Sequence, residues 1–253
     1  MDIKELFNRA LYYVSVPKCV YCKDKLDYTE RGLCKKCKEI YDAHKLRNCP
    51  KCSAVLSECF CTYEFLDEHS VKNLVKIFRY SKNEEAMPSN YLIYSLKQDN
   101  RKDVISFLAD EMSNALSIHL DRDPSEYIVT SVPRRRSAIV NFGYDHAAKL
   151  AREVAKRLGT EYLTILKSKA TDPQKSVYSQ ARIENARFDY KCKKDLTLKG
   201  KTVIIVDDII TTGASITNCA TLIRALRPRR IIGACLGTAY KEVGPEFKYS
   251  AFE

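Results

Sequence analysis

The stretch of sequence that decides the fold reads Val203-Ile204-Ile205-Val206-Asp207-Asp208-Ile209-Ile210-Thr211-Thr212-Gly213-Ala214-Ser215. Its first four residues are apolar and β-branched, which is typical of a buried strand in a parallel sheet, where both faces are covered. Two adjacent carboxylates come at the end of this strand, and a short turn rich in hydroxyl groups follows. Beyond the turn, apolar residues recur at the spacing of one helix face: Ile216, Ala220, Ile223 and Leu226. The pattern therefore predicts a strand, an acidic pair, a loop and a helix N-terminus, in that order.

The loop and the helix that follows it have the chemistry of a phosphate site. A helix N-terminus offers unpaired backbone N–H groups and the positive end of the helix dipole, both of which favour an anion. Glycine lets the backbone approach such an anion closely, and hydroxyl side chains add further donors. We therefore predict that a phosphate group binds at Thr211, Thr212, Gly213, Ala214 and Ser215.

The acidic pair, Asp207 and Asp208, cannot serve that phosphate because like charges repel. Carboxylates suit the hydroxyl groups of a sugar, or a hydrated Mg²⁺ ion. The predicted ligand is therefore a ribose 5-phosphate held at both ends. A plain buried strand followed by a capped helix would explain the apolar run and Ser215. It would not explain two adjacent carboxylates at the carboxyl end of a strand, where open α/β sheets bind ligands.

The composition of the 253-residue chain is that of a soluble globular protein, with 45% hydrophobic and 30% charged residues. This length allows one large domain or two. No segment approaches the roughly 18 apolar residues of a membrane span, and the first residues lack the apolar core of a signal peptide. We therefore expect a cytoplasmic protein. The net charge of +11 favours anionic partners such as nucleic acid or a sugar phosphate, although a solvated lysine-rich surface would also explain it.

Eight of the eleven cysteines lie in four pairs near the N-terminus. Two thiolates separated by two residues form one knuckle, and two knuckles complete a tetrahedral site for structural Zn²⁺. A reducing cytoplasm favours metal binding over disulfide bonds. A polar segment this short needs a bound metal ion or another cross-link to fold. The simplest assignment is two sequential sites, with an interleaved pairing or redox chemistry as alternatives. One or two zinc ions are thus predicted at Cys19, Cys22, Cys34 and Cys37, and at Cys49, Cys52, Cys59 and Cys61.

The remaining three cysteines, Cys192, Cys219 and Cys235, stand alone and are predicted to be small buried or surface residues. The cysteine-rich segment also carries basic and aromatic side chains, a combination that can contact single-stranded nucleic acid. The alternative is a metal-stapled module that only packs on the next domain. We place the boundary between the two domains after residue 62, giving segments 1–62 and 63–253. The basic and aromatic side chains that could contact nucleic acid are Lys35, Lys36, Lys38, Lys45, Arg47, Lys51, Tyr21, Tyr28 and Tyr41.

The middle of the chain predicts βα units around a parallel sheet. The spacing of Val71, Leu74, Val75 and Phe78 predicts a short amphipathic helix. Residues 81–101 are predicted to be an interrupted connection with one short helix, and a longer helix follows over 104–120. Strands are predicted at 127–132, 162–166 and 231–236. Between the first two of these strands, a helix should begin after the N-cap Asp145 and end at Gly159.

Three guanidinium groups follow the strand at 127–132, and they suit phosphate or pyrophosphate with paired hydrogen bonds. A solvated basic turn is the alternative. His146 begins the next helix and can touch substrate, although a structural role is the commoner one for a single histidine at this position. The predicted anion-binding residues are Arg134, Arg135 and Arg136.

Residues 203–215 resemble the phosphoribosyl-pyrophosphate (PRPP) motif of type I phosphoribosyltransferases. The resemblance implies that Asp207 and Asp208 hold the ribose 2′- and 3′-hydroxyls as catalytic residues and that the loop holds the 5-phosphate. The chain as a whole, over about residues 17–240, resembles the ComF/GntX family of competence proteins. That family joins a double zinc ribbon to a phosphoribosyltransferase domain, here an α/β parallel sheet flanked by helices. Its further marks are Val132-Pro133 with the arginines, Gly143-Tyr144 and the segment with Gln174, Ser179, Arg182, Asn185 and Phe188.

The resemblance implies Mg²⁺-dependent transfer of a phosphoribosyl group from PRPP and a role in competence and DNA uptake. The oxocarbenium-like centre of such a reaction must be shielded from water, which gives residues 171–188 the role of a closing lid. The predicted lid residues are Gln174, Ser179, Arg182 and Asn185. Purine-salvage relatives have an aspartate base where this chain has Thr211, so purine salvage is not expected. The alternative function is a non-catalytic module that binds single-stranded DNA or a helicase through the zinc ribbons and the basic surface.

Overall fold

The structure, a computed structural model, describes residues 16–49, 51–62, 64–68, 71–80, 87–169, 188–191 and 196–239. Seven strands and seven α-helices lie in these ranges, together with a 3₁₀ turn at Pro124–Glu126. The helices are α1 Lys35–Lys45, α2 Glu64–Glu68, α3 Pro88–Gln98, α4 Lys102–Ser117, α5 Arg136–Phe142, α6 His146–Leu158 and α7 Ala214–Arg224. The strands are β1 Asn73–Tyr80, β2 Tyr127–Ser131, β3 Glu161–Tyr162, β4 Leu166–Ser168, β5 Phe188–Tyr190, β6 Thr202–Ile210 and β7 Arg230–Ala239.

Five of the strands form one parallel sheet in the order β1-β7-β6-β2-β3. Strand β6 lies in the middle, and its residues 203–206 are completely buried. Helices cover the sheet on both faces, which is why these residues show no polar alternation. The predicted α/β fold with a parallel sheet flanked by helices is therefore confirmed. A separate antiparallel pair is formed by β4 and β5.

The direction of the connections changes between β2 and β6, which are neighbours in the sheet. From β2 the chain passes through α5 and α6 to β3 on one side. From β6 it passes through α7 to β7 on the other side. Connections that leave two adjacent parallel strands in opposite directions open a crevice at the carboxyl ends of those strands, where α/β proteins bind ligands.

The helix predicted from the spacing of Val71, Leu74, Val75 and Phe78 is wrong. Residues 73–80 form β1, which pairs with β7 along the register from Asn73–Ile232 to Tyr80–Ala239. Residues 74–78 are all buried: Phe78 packs on Tyr41 of α1, and Lys76 contacts Cys59. A short run that is buried on every side has no period of its own, so sequence spacing cannot tell a strand from a helix there.

Two further predictions need adjustment. The segment predicted as an interrupted connection contains the 11-residue helix α3, whose first residue is Pro88 and which buries Leu92, Ile93 and Leu96. The strand predicted at 162–166 is split between β3, in the main sheet, and β4, in the small antiparallel pair. The other predicted elements are confirmed: α4, β2, β7, and α6 with its Asp145 N-cap and its Gly159 C-cap at φ +66°.

The cysteine knuckles share one turn geometry. The amide of Cys19 donates to the carbonyl of Asp24 at 2.8 Å, and the amide of Cys49 donates to the carbonyl of Ala54 at 2.7 Å. The knuckles of the first two pairs also pack on the rest of the chain, because Tyr41 lies in the same apolar core as helix α4. Its ring centre lies 5.4 Å from that of Phe107.

Charged side chains tie the same region to α4. Lys45 pairs with Glu111 at 2.7 Å, and Arg31 pairs with Asp110 at the same distance. The cysteine-rich segment therefore packs on α4 through both apolar and ionic contacts. The boundary after residue 62 stays a prediction.

Candidate functional site

The acidic pair lies where β6 loses its neighbour on one side. Pairing between β2 and β6 ends at Ser131 and Val206, and the amide of Val132 then donates to the carbonyl of Val206 at 2.9 Å. Strand β6 continues to Ile210 along β7, so Asp207 and Asp208 lie within the strand rather than after it. They line the crevice that opens between β6 and the chain leaving β2.

Three basic side chains surround the carboxylate of Asp208. Arg134 lies 2.7 Å from Oδ1, and Lys97 and the Nε2 atom of His146 lie 3.0 Å and 3.2 Å from Oδ2. Only 5% of the Asp208 side chain is exposed. Burial by itself would raise the pKa of this carboxyl. The hydrogen bond from His146 and the charges of Arg134 and Lys97 outweigh burial and hold the pKa of Asp208 well below its usual range.

Asp207 has the opposite electrostatic environment. Its side chain is 11% exposed, and Arg134 lies 3.7 Å from its Oδ1 atom. Burial, together with the charge of the adjacent Asp208, raises the pKa of Asp207 to about 8. Two adjacent buried carboxyls therefore differ in the direction of their pKa shifts: the pKa of Asp208 is lowered and that of Asp207 is raised.

Of the three predicted anion-binding arginines, the structure brings Arg134 to the acidic pair. Within the part of the chain that the structure describes, its Nε atom is buried and has no hydrogen-bond partner. A guanidinium with an unused N–H in a crevice can accept a further anionic partner. Arg135 and Arg136 are exposed at the start of α5, away from these contacts.

The predicted phosphate loop forms a tight turn into α7. Gly213 is the N-cap and has φ +81°, a left-handed conformation that favours glycine. The helix has no side-chain cap, and the amide of Ala214 donates to the Thr212 hydroxyl at 3.3 Å. Thr211 is exposed, whereas Thr212 and Ser215 are partly buried. Only residues 211–213 separate β6 from the first turn of α7, and a helix N-terminus favours an anion.

The lid residues Gln174, Ser179, Arg182 and Asn185 lie outside the described residues. His146 and Lys97 are the contacts that sequence reasoning did not assign to the site. His146 had a sequence signal, since it follows the N-cap of a predicted helix next to Gly143-Tyr144. Lys97 had none, because it lies in a polar stretch that gave no hint of reaching β6.

The cysteines form two clusters in sequential order. In each cluster the four sulfur atoms lie within 4.8 Å of one another, a spacing compatible with a single tetrahedral ion. The clusters are Cys19, Cys22, Cys34 and Cys37, and Cys49, Cys52, Cys59 and Cys61. Of the lone cysteines, Cys219 and Cys235 are buried, as predicted, and Cys192 lies outside the described residues.

The basic and aromatic residues of the cysteine-rich segment differ in their exposure to solvent. Tyr28 is 55% exposed, whereas Tyr41 is fully buried and cannot stack on a base, so that part of the prediction is wrong. Lys45 is engaged with Glu111. The exposed cations are Lys35, Lys36, Lys38, Arg47 and Lys51.

A cavity of about 420 Å³ lies between the first cluster and α3, lined in part by Lys23, Tyr91, Tyr94 and Arg101. The ammonium group of Lys23 lies 5.6 Å from the ring centre of Tyr91.

In the described part of the chain, none of the helices combines the length and the apolarity needed to cross a bilayer.

Comparisons with known proteins found similarities to a family model, to other sequences and to solved structures. Residues 145–250 match the family model of the phosphoribosyl transferase domain. The chain is 24% identical over 212 residues to the DNA utilization protein YhgH of Escherichia coli O157:H7, an alignment that covers 81% of this chain and 89% of that protein. It is 35% identical over 85 residues to a ribose-phosphate pyrophosphokinase of Thermococcus kodakarensis, covering 34% of this chain and 25% of that protein. Among solved structures, the purine phosphoribosyltransferase of Pyrococcus horikoshii superposes with a TM-score of 0.34 and 19% identity, over 53% of this chain and 73% of that chain.

Residues 145–250 therefore match a phosphoribosyl transferase domain, and the two cysteine clusters precede that match in the chain. The predicted resemblance to ComF-type proteins is confirmed, because the phosphoribosyl transferase match follows those clusters and the alignment with the DNA utilization protein covers most of both chains.

Proposed function

We propose that the chain binds PRPP, or a closely related ribose 5-phosphate, together with Mg²⁺ in the crevice at the carboxyl end of β6. The observation that carries the proposal is the buried acidic pair beside Arg134, followed directly by the N-terminus of α7, whose N-cap is Gly213. The acids suit sugar hydroxyls and the helix suits a phosphate, so one ribose phosphate would satisfy both ends.

In this proposal different residues bind different parts of the ligand. The turn at residues 211–215 holds the 5-phosphate through amide and hydroxyl donors. Asp207 and Asp208 accept hydrogen bonds from the ribose hydroxyls. Arg134, which has an unused N–H, turns toward the pyrophosphate. Bound Mg²⁺ would supply positive charge that offsets the pyrophosphate.

The reaction class that follows is phosphoribosyl transfer. A nucleophile would bond to C1 of the ribose as the bond from C1 to the pyrophosphate oxygen breaks, and pyrophosphate would leave with the electron pair. Thr211 offers no carboxylate to activate a purine base, so the acceptor is to be sought outside purine salvage.

We test this proposal by isothermal titration of the full chain with PRPP and Mg²⁺. The wild type should bind, and the double variant Asp207→Asn/Asp208→Asn should not. Asp42→Asn is the matched control, because Asp42 pairs only with Lys38 on the exposed face of α1 among the described residues. Absence of heat from the wild type at millimolar ligand would overturn the proposal.

A second candidate function is binding of single-stranded DNA as part of DNA uptake, with a helicase as a further partner. The net charge of +11 and the cavity with Lys23, Tyr91 and Tyr94 favour it, because cations and exposed rings together suit an unpaired strand. The alignment with a DNA utilization protein adds support.

Fluorescence anisotropy with a labelled oligonucleotide distinguishes the two candidates. DNA binding should weaken as salt rises, since phosphate contacts release counterions. Tyr94→Ala should weaken DNA binding and leave PRPP binding unchanged. The double aspartate variant should do the reverse. A DNA affinity that changes neither with salt concentration nor with the Tyr94→Ala substitution would refute the DNA site.

We also propose that each cysteine cluster holds one structural Zn²⁺, located in a domain that precedes the transferase domain near residue 62. The free sulfurs converge as a tetrahedral ion requires, and no ligand position is left for a substrate. Elemental analysis should find two zinc ions per chain, and one fewer in Cys22→Ser and in Cys52→Ser.

A further inference from the structure

Lys76 is a buried cation in the middle of β1, with a relative exposure of 1%. Its ammonium group donates to the sulfur of Cys59 at 3.2 Å and to the carbonyl oxygen of Cys61 at 2.8 Å. Both acceptors belong to the second cysteine cluster. In the described part of the chain, no carboxylate forms an ion pair with Lys76.

Burial of an ammonium group is unfavourable unless an anion lies next to it. The anions available here are the cysteine thiolates. Four thiolates around one divalent metal ion carry a net charge of about −2, so the filled cluster provides the negative charge that Lys76 lacks. The buried lysine and the filled metal site thus require each other electrostatically.

The first cluster has no such partner. Lys23 follows its first knuckle and donates to the carbonyl of Val20 at 2.7 Å rather than to a sulfur. Within the ranges that the structure describes, no ammonium group contacts a sulfur atom of Cys19, Cys22, Cys34 or Cys37. The chain therefore contains its own internal comparison: one cluster with a buried counter-cation and one without.

We propose that Lys76 is a positioning residue of the second metal site: its hydrogen bond holds Cys59 as a metal-bound thiolate, and its charge offsets the cluster. The inference rests on the proposal that this cluster binds zinc. Partners outside the ligand sphere that donate hydrogen bonds to metal ligands raise affinity in the same way.

The contact also joins the metal site to the transferase sheet. The amide of Leu74 on β1 donates to the carbonyl of Phe60 at 3.4 Å, and the Phe60 ring stacks on His119 with 4.1 Å between ring centres. In the sheet, Lys76 pairs with Cys235, and Cys235 pairs with Asp207. Lys76 and Asp207 therefore lie on one row of residues across β1, β7 and β6, and occupancy of the metal site next to Lys76 should stabilise β1.

The test compares full-length chains that hold a single zinc ion. Cys22→Ser removes a ligand of the first cluster, and the remaining ion then reports on the second cluster. Cys52→Ser does the converse, and both cysteines are equally exposed ligands. Zinc affinity is measured by competition with a chromogenic chelator. Lys76→Met should lower affinity about 10- to 100-fold in the Cys22→Ser chain and leave it unchanged in the Cys52→Ser chain.

Lys45→Met is the matched control, because Lys45 pairs with Glu111 and touches no sulfur among the described contacts. It should leave zinc affinity unchanged in both backgrounds. An affinity within twofold of the parent in the Cys22→Ser/Lys76→Met chain would overturn the inference. A wild type with one zinc ion would instead refute the zinc proposal itself, so the two failures are distinguishable.

A second measurement covers the case in which Lys76→Met does not fold. Hydrogen exchange of the β1 amides is followed in the Cys22→Ser and Cys52→Ser chains. Exchange at residues 73–80 should be at least about tenfold faster in Cys52→Ser, because β1 then contains an uncompensated ammonium group. Equal protection of β1 in the two chains would refute the coupling.

Discussion

The protonation of Asp207 gives the sharpest prediction about the proposed ligand site. In the free chain, burial and the ionised Asp208 raise the pKa of Asp207 to about 8. Mg²⁺ bound with the ligand would place positive charge in the crevice, and an adjacent positive charge favours the ionised form of a carboxyl. We therefore expect binding of PRPP with Mg²⁺ to release a proton at neutral pH, and the affinity to increase as the pH rises.

The magnitude follows from the ionised fraction of Asp207. With a pKa of about 8, this fraction is about 0.1 at pH 7 and about 0.9 at pH 9. The affinity should therefore rise roughly tenfold over this interval, which corresponds to about 1.4 kcal/mol. A phosphate group with its second pKa near about 6 is already fully ionised above pH 7, so the ligand adds little to the slope.

The assay is isothermal titration at pH 7, 8 and 9 in pairs of buffers with different heats of ionisation. The difference between buffers counts the protons, which should fall from about 0.9 released at pH 7 to about 0.1 at pH 9. Asp208→Asn removes the adjacent negative charge, so it should lower the pKa of Asp207 and flatten the profile. Asp42→Asn should leave the profile unchanged.

A wild-type affinity that is constant from pH 7 to pH 9, with no proton released, would refute the reasoning. The stability of the ligand-free chain should also depend on the protonation of Asp207. Because the pKa of Asp207 is higher in the folded chain than in the unfolded one, the stabilisation is complete below the unfolded value. It is then lost as the pH rises toward about 8.

Three substitutions test the structure around the site. Gly233→Ala should lower the free energy of unfolding by about 1–3 kcal/mol in urea titrations, because the added methyl would lie 2.9 Å from Leu74 Cδ1 and 3.0 Å from Ile216 Cδ1; an unchanged midpoint would contradict this packing. His146→Ala should lower it by about 1.5–3 kcal/mol through loss of the bond to the Asp208 carboxylate; an unchanged urea midpoint would contradict that bond. Tyr144→Phe should lower the melting temperature and speed hydrogen exchange at Asn100, whose amide donates to the Tyr144 hydroxyl at 2.9 Å; unchanged exchange there would show that the bond does not form.

The part of the fold that sequence predicts best is the part that depends on neighbours in the chain. The run from Val203 to Ser215 contains its own strand, turn and helix start, and the structure has all three. Asp145 and Gly159 likewise set the ends of α6 by local hydrogen bonds and backbone conformation. Strand β1 was mistaken for a helix because its identity depends on pairing with β7, more than 150 positions away, and on burial of both faces.

The candidate site also combines features that the local sequence predicts with features that depend on distant parts of the fold. Sequence supplied the two carboxylates, but it could not supply their charge balance. Asp208 is stabilised by Lys97 from α3, Arg134 from the end of β2 and His146 from α6. These elements meet only because β2 and β6 are neighbours at the point where the connections reverse direction. Adjacent buried carboxyls without such cations would both hold protons and could not bind a sugar as anions. The pattern of two acids at a strand end thus identifies the ligand class, whereas the ionisation of each acid is a property of the folded chain.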